Sequence, residues 1–102
     1  AECLPNFIGS GIYELYAFIV HIGMRSNGGH YITYARNISE NPNLWYIFDD
    51  GYVTEKEVIS FQDFNLGQYD SPYIFFYSSQ TGDKVFARDI KGIHMSIHKV
   101  KN

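Results

Sequence analysis

Residues 12–22 (IYELYAFIVHI) form a β-branched and aromatic run with few polar breaks. A strand with one wet face alternates apolar and polar positions, so this run reads as a strand buried on both faces near its centre. Two further runs, 30–36 (HYITYAR) and 44–50 (LWYIFDD), read as strands, the second ending in two acids. The segment between them, 37–43 (NISENPN), is turn chemistry, with Pro42 set between two asparagines. Residues 23–29 (GMRSNGG) hold Gly23, Gly28 and Gly29 and read as a turn or flexible loop. Residues 73–78 (YIFFYS) are a fourth strand. The stretch 51–72 is mixed: a turn at Gly51, a short apolar piece around Val53, a strand or helical turn over Glu55–Ile59, then a loop.

The two ends differ from this middle. Residues 1–11, with Pro5, Gly9 and Gly11, read as an irregular leading segment. Beyond Gln80, residues 81–84 read as a turn. Val85, Phe86, Ile90, Ile93, Ile97 and Val100 then recur mostly three or four apart. That spacing suits a short amphipathic C-terminal helix, which Gly92 weakens; a disordered tail is the alternative for 80–102. The chain contains no internal repeat and no low-complexity tract.

Composition narrows the partners. The 102 residues are 45% hydrophobic and 18% aromatic, with Tyr 9 and Phe 8, which supplies a β-rich core and allows one small domain or part of a larger one. Eight Lys+Arg stand against eleven Asp+Glu, a formal net charge of -3. Nucleic-acid phosphates need a basic surface, so nucleic acid is not an expected partner. No apolar run approaches the roughly 20 residues that span a bilayer, and no signal peptide is visible, so no membrane partner is expected. The one cysteine, Cys3, excludes an intrachain disulfide framework. Asn37-Ile38-Ser39 fits a glycosylation sequon, a pattern short enough to arise by chance.

Two local features carry candidate chemistry. In Gly28-Gly29-His30-Tyr31, paired glycines permit close approach of another backbone, and His30 then opens a strand that holds its ring. Taken alone, a hairpin turn before a half-buried histidine is the simpler reading. Asp49-Asp50 ends the third strand; taken alone, both acids sit in solvent. Together the two features say more. If 30–36 and 44–50 pair as a hairpin centred on the 37–43 loop, His30 lies opposite Asp50 with Asp49 diagonal, and a one-residue slip sets it opposite Asp49. Either acid then reaches the imidazole, fixing its tautomer and stabilising its charged form. A structural salt bridge is the competing explanation. No nucleophile accompanies the pair: Cys3 precedes Leu4-Pro5 with no helix start to activate it, and no serine lies in a G-x-S-x-G elbow. His94 and His98 lack the glutamate of a metalloprotease helix and read as solvent-facing, while His21 reads as a hydrogen-bonded core histidine. No metal site is expected.

At the level of whole boxes the sequence resembles the histidine region of ubiquitin-specific cysteine proteases. The matching residues are Tyr13-Glu14-Leu15-Tyr16-Ala17, Val20-His21-Ile22-Gly23, Gly28-Gly29-His30-Tyr31 and Tyr34-Ala35-Arg36-Asn37. They continue through Trp45-Tyr46-Ile47-Phe48-Asp49-Asp50, Val53-Thr54 and Tyr73-Ile74-Phe75-Phe76-Tyr77 in the same order. The resemblance covers residues 12–79 and implies the C-terminal part of a catalytic domain: mainly β, the antiparallel palm sheet of an α+β papain-like fold. It implies His30 as general base, Asp49 as its orienting acid and Asp50 as a neighbouring acid that supports the site. Gly28, Gly29 and Tyr31, with the loop Met24, Arg25, Ser26 and Asn27, would border the channel for the ubiquitin C-terminus. The implied reaction is cofactor-free hydrolysis of ubiquitin conjugates, with ubiquitin and ubiquitinated proteins as partners, in the cytoplasm or nucleus.

The cysteine box that such proteases carry far upstream is absent from these residues, as are the ubiquitin-gripping fingers. The expectation is therefore a chain that supplies histidine and aspartate to a nucleophile located elsewhere and is inactive alone. The alternatives are a catalytically inactive β module that binds protein partners, and a self-contained Cys3-His30-Asp49 hydrolase.

Overall fold

β-branched and aromatic residues pack best on a pleated, half-buried surface, and this chain spends them on one sheet. The computed structural model describes residues 13–23, 29–79, 81–90 and 94–99, with side chains as far as residue 88. Seven antiparallel strands lie in the order β4-β3-β2-β1-β5-β6-β7. They are β1 (Tyr13–Ile22), β2 (His30–Arg36), β3 (Leu44–Asp49), β4 (Tyr52–Glu57), β5 (Asp70–Ser79), β6 (Lys84–Ile90) and β7 (His94–Lys99). A 3-10 helix, Phe61–Phe64, lies between β4 and β5. No helix among the described residues is long and apolar enough to cross a membrane.

β1 is the central strand, as its doubly apolar sequence requires. Neighbours Ala17 and Phe18 are both buried although successive residues point to opposite faces. Against β5 it carries two irregularities, at Leu15/Ala17 and at Ile19/Val20. On one face of the sheet Phe18 gathers the core: Tyr34 stacks on it at 4.8 Å, and Trp45, Phe61 and Phe64 meet it at 5.7, 5.5 and 4.9 Å between ring centroids. The 3-10 helix is the lid of this cluster, delivering Phe61 and Phe64 from the solvent side. Arg36 is the one buried charged residue among those described. Its Nε donates to the Leu15 carbonyl (2.8 Å) and its Nη1 to the Pro42 carbonyl (2.7 Å), and the guanidinium lies 5.1 Å from the Trp45 ring centroid. Burial pushes this guanidinium below its ordinary range, opposed by the charge of Glu14. The contacts pin the β2–β3 loop to the core and fix where β3 begins.

Two stretches depart from the sequence expectation. Residues 51–72 contain a full strand, β4, which closes on β3 through a two-residue turn at Asp50-Gly51. Residues 84–90 and 94–99 form strands where a helix was expected: β6 pairs with β5, and β7 with β6. The reason is tertiary. β5 would otherwise present unpaired backbone groups along its edge, and a strand satisfies them where a helix cannot. Phe86 meets Phe76 at 6.0 Å on one face, while Ala87 is buried on the other. A three-to-four spacing of apolar residues was compatible with both outcomes.

Candidate active site

The β2–β3 ladder places the site. Arg36↔Trp45, Ala35↔Tyr46, Tyr34↔Ile47 and Thr33↔Phe48 are partners. Continued past its last pair, this register sets Ile32 opposite Asp49. His30, two residues along on the same face, is then diagonal to Asp49, within reach of a long side chain. The loop-centred register is therefore off by one residue, and in the direction that leaves His30 opposite neither acid. The cause is burial: Tyr34 and Trp45 must both face the core, and a slip of one residue would turn one of them outward.

The diagonal contact is made. His30 Nε2 and Asp49 Oδ1 are 2.6 Å apart, with the two side chains 43% and 44% exposed. An ionised carboxylate only accepts, so in the neutral imidazole Nε2 carries the proton and donates it, and Nδ1 is left as a lone-pair acceptor. Nδ1 has no partner among the described residues. Asp50 does not share this bond. It takes φ 55 in the β3–β4 turn and is exposed. Left-handed backbone is tolerated by aspartate at a turn. The donor atoms of His30, Asp49 and Asp50 nevertheless lie within 4.8 Å of one another, a spacing a divalent cation could bridge. The surroundings are acidic. Burial, then the charges of Asp70 and Asp49, push the Tyr34 phenol above its ordinary range.

The remaining expected site residues divide. Met24, Arg25, Ser26, Asn27 and Gly28 lie outside the described residues, as does Cys3. Tyr31 follows His30 in β2 and points to the opposite face, 49% exposed, 5.0 Å from the His21 ring and 5.8 Å from Tyr73. Burial, and then Tyr31, push the Tyr73 phenol upward. Gly29 is close-packed, but by a side chain rather than a backbone: a Cβ there would stand 1.8 Å from His21 Nε2. His21 departs from its expected role too, since Nε2 is buried and has no hydrogen-bond partner. Sequence reasoning missed this contact. Its signal is a histidine and a glycine at facing ends of adjacent strands.

The sheet ends in a histidine–carboxylate pair whose second ring nitrogen has no partner among the described residues, an arrangement open to acid–base chemistry. The family model described as ubiquitin carboxyl-terminal hydrolase matches residues 3–77, and the chain belongs to that family. Similar curated proteins carry the same description. Ubiquitin carboxyl-terminal hydrolase 21 of Arabidopsis thaliana is 39% identical over 71 residues, 67% of this chain and 8% of that protein. Ubiquitin carboxyl-terminal hydrolase 46 of Caenorhabditis elegans is 40% identical over 57 residues, 56% of this chain and 12% of that protein. Ubiquitin carboxyl-terminal hydrolase 32 of Homo sapiens is 40% identical over 70 residues, 68% of this chain and 4% of that protein. The chain thus spans a small part of the length of these relatives. No solved structure gives a significant match.

Proposed function

We propose that this chain supplies the general base and its orienting acid to a cysteine-type deubiquitinase whose nucleophile lies outside these 102 residues. The observation that carries the reading is the 2.6 Å bond between His30 Nε2 and Asp49 Oδ1, on a half-exposed ring whose Nδ1 has no partner among the described residues. In this reading Nδ1 takes the proton of a cysteine thiol. The thiolate attacks the carbonyl of ubiquitin's C-terminal glycine, and the imidazolium returns the proton to the departing lysine amine as the isopeptide bond breaks. Water, activated by the same nitrogen, then hydrolyses the thioester and frees the thiol. Asp49 holds the ring in the productive tautomer throughout.

Asp50 supports the pair from the turn, while Gly28, Gly29, Tyr31 and the loop 24–27 border the path of the ubiquitin tail. Ubiquitin and ubiquitinated proteins are the partners, no cofactor takes part, and the setting is intracellular. Cys3, directly before Leu4-Pro5, is not the nucleophile.

A fluorogenic ubiquitin C-terminal substrate tests this. The 102-residue chain alone is expected to give no turnover. The longer protein that contains it is expected to hydrolyse the substrate and to lose about 10²- to 10⁴-fold in kcat with His30→Ala. Robust turnover by the short chain that disappears in His30→Ala would defeat the external-nucleophile claim. A longer protein indifferent to His30→Ala would defeat the whole reading.

A further inference from the structure

Gly29 precedes the proposed base, and the space that its missing side chain leaves is already filled from within the chain. The ladder explains how. His21 pairs with Tyr31, and Ile22 with His30. Residue 29, two before Tyr31, shares its face and is diagonal to His21. The His21 ring leans along that diagonal. A Cβ on residue 29 would meet its Nε2 at 1.8 Å, its Cδ2 at 2.5 Å and its Cε1 at 2.9 Å. Tyr31 stands 5.0 Å from the same ring on the neighbouring position, and Tyr73 supports Tyr31 from β5 at 5.8 Å. The left-handed glycines among the described residues are Gly23 and Gly82, and Gly29 is not one of them. Its backbone is therefore open to alanine, and the obstacle to a side chain is the imidazole.

We infer that His21 is a positioning residue for His30, acting through Gly29. The ring is seated against the backbone where the chain enters β2, on the face opposite His30. A peptide held flat on one face fixes the direction in which the next Cα–Cβ bond leaves on the other. For His30 that direction is the one that brings Nε2 to Asp49 at 2.6 Å. The unpartnered His21 Nε2 fits this account, because a buried ring nitrogen without a hydrogen bond is costly and is retained here where the ring acts by its shape. Gly29, beside the proposed path of the substrate tail, is then kept small by His21 on its other side.

The inference rests on the deubiquitinase reading, and a size-exchange cycle separates the two. Gly29→Ala, His21→Ala and the double variant are compared in the longer protein, with kcat and KM for the fluorogenic ubiquitin substrate. Gly29→Ala is expected to lower kcat at least tenfold with KM within about twofold, and His21→Ala to lower it less. The double variant is expected to recover most of the activity that Gly29→Ala loses, because the added methyl then occupies the vacated imidazole space. A Gly29→Ala effect confined to KM, or one that His21→Ala fails to relieve, overturns the inference and leaves the substrate path as the reason residue 29 is small. Thermal melts of the same four proteins give the cycle without turnover. Rescue of the Gly29→Ala melting point by His21→Ala supports the packing even if the His30→Ala control shows that the reaction has been misread. Additive melting losses overturn it.

Discussion

The centre and the end of one sheet face are built from the same two strands and could hardly differ more. At the centre, Tyr34 of β2 and Trp45 of β3 close on Phe18, and the 3-10 helix seals them with Phe64, 4.9 Å from Trp45. Trp45 is 0% exposed. Four residues along, on the same face, His30 and Asp49 remain nearly half exposed and meet in one short hydrogen bond. Alternation puts residues 30, 32, 34 and 36 on one side of β2, so the difference lies in what covers each part. The lid reaches the centre and stops short of the end. The polar pair therefore owes its alignment to the register that the core imposes, and the core owes nothing to the pair.

That asymmetry is tested most severely at Trp45. Trp45→Ala removes the largest fully buried side chain and the surface on which the Arg36 guanidinium rests. It is expected to cost about 3–5 kcal/mol, read as a lowered urea midpoint. The His30–Asp49 bond should loosen with it, visible as greater solvent exchange of the imidazole N–H proton by NMR. A destabilised protein whose His30 resonance is unchanged would mean that the pair holds its own alignment.

The reverse experiment is at Asp49. Asp49→Asn is nearly isosteric and lies at a half-exposed end, so stability should move by no more than about 1 kcal/mol. If the amide turns its NH2 toward the ring, Nε2 becomes the acceptor and Nδ1 carries the proton, the wrong tautomer for a base. Turnover of the ubiquitin substrate by the longer protein should then fall on the order of 10²-fold or more. Asp50→Asn, in the turn and outside the bond, should cost less than about tenfold in the same assay. Equal losses at both positions would assign the orienting role to the pair of acids together, and a large loss of stability at Asp49 would place it in the core's cooperative unit.

The sequence displayed these two regions unequally. β1, β2, β3 and β5 were legible because their apolar runs are long or strictly alternating and are bounded by glycine, asparagine and proline. β4, with burial restricted to part of Lys56, has no apolar face to announce it. β6 and β7 owe their conformation to the edge of β5, a partner that local periodicity does not see. At the site, the meeting of His30 with an acid followed from two strands joined by a short loop. The choice of acid did not, because loop symmetry is a weaker constraint than the inward demand of Tyr34 and Trp45. Gly29 was recognisable as a place of close approach, while the identity of its neighbour depended on which way the His21 side chain leans.

The smallest effect is expected on the lid, where the packed region depends on an exposed charge. Asp63 lies within the 3-10 helix, and its Oδ2 accepts from the backbone N–H groups of Ile59 (2.9 Å) and Ser60 (3.1 Å). These two bonds hold its carboxyl below the ordinary carboxylate range; burial opposes them weakly, and Lys56 adds a little. A carboxyl lowered in the folded state stabilises fully above its unfolded value and progressively less as pH falls through the lowered folded value. Asp63→Asn keeps one accepting oxygen but loses the charge. The stability gap between wild type and Asp63→Asn should therefore be constant from neutral pH down to about 5, and should narrow below about 4, where the unfolded carboxyl begins to bind its proton first. Urea unfolding at a series of pH values measures it. A gap that stays constant into the acid range would mean that the lid is held by the shape of the Asp63 side chain, and that Phe64 reaches the core without help from its charge.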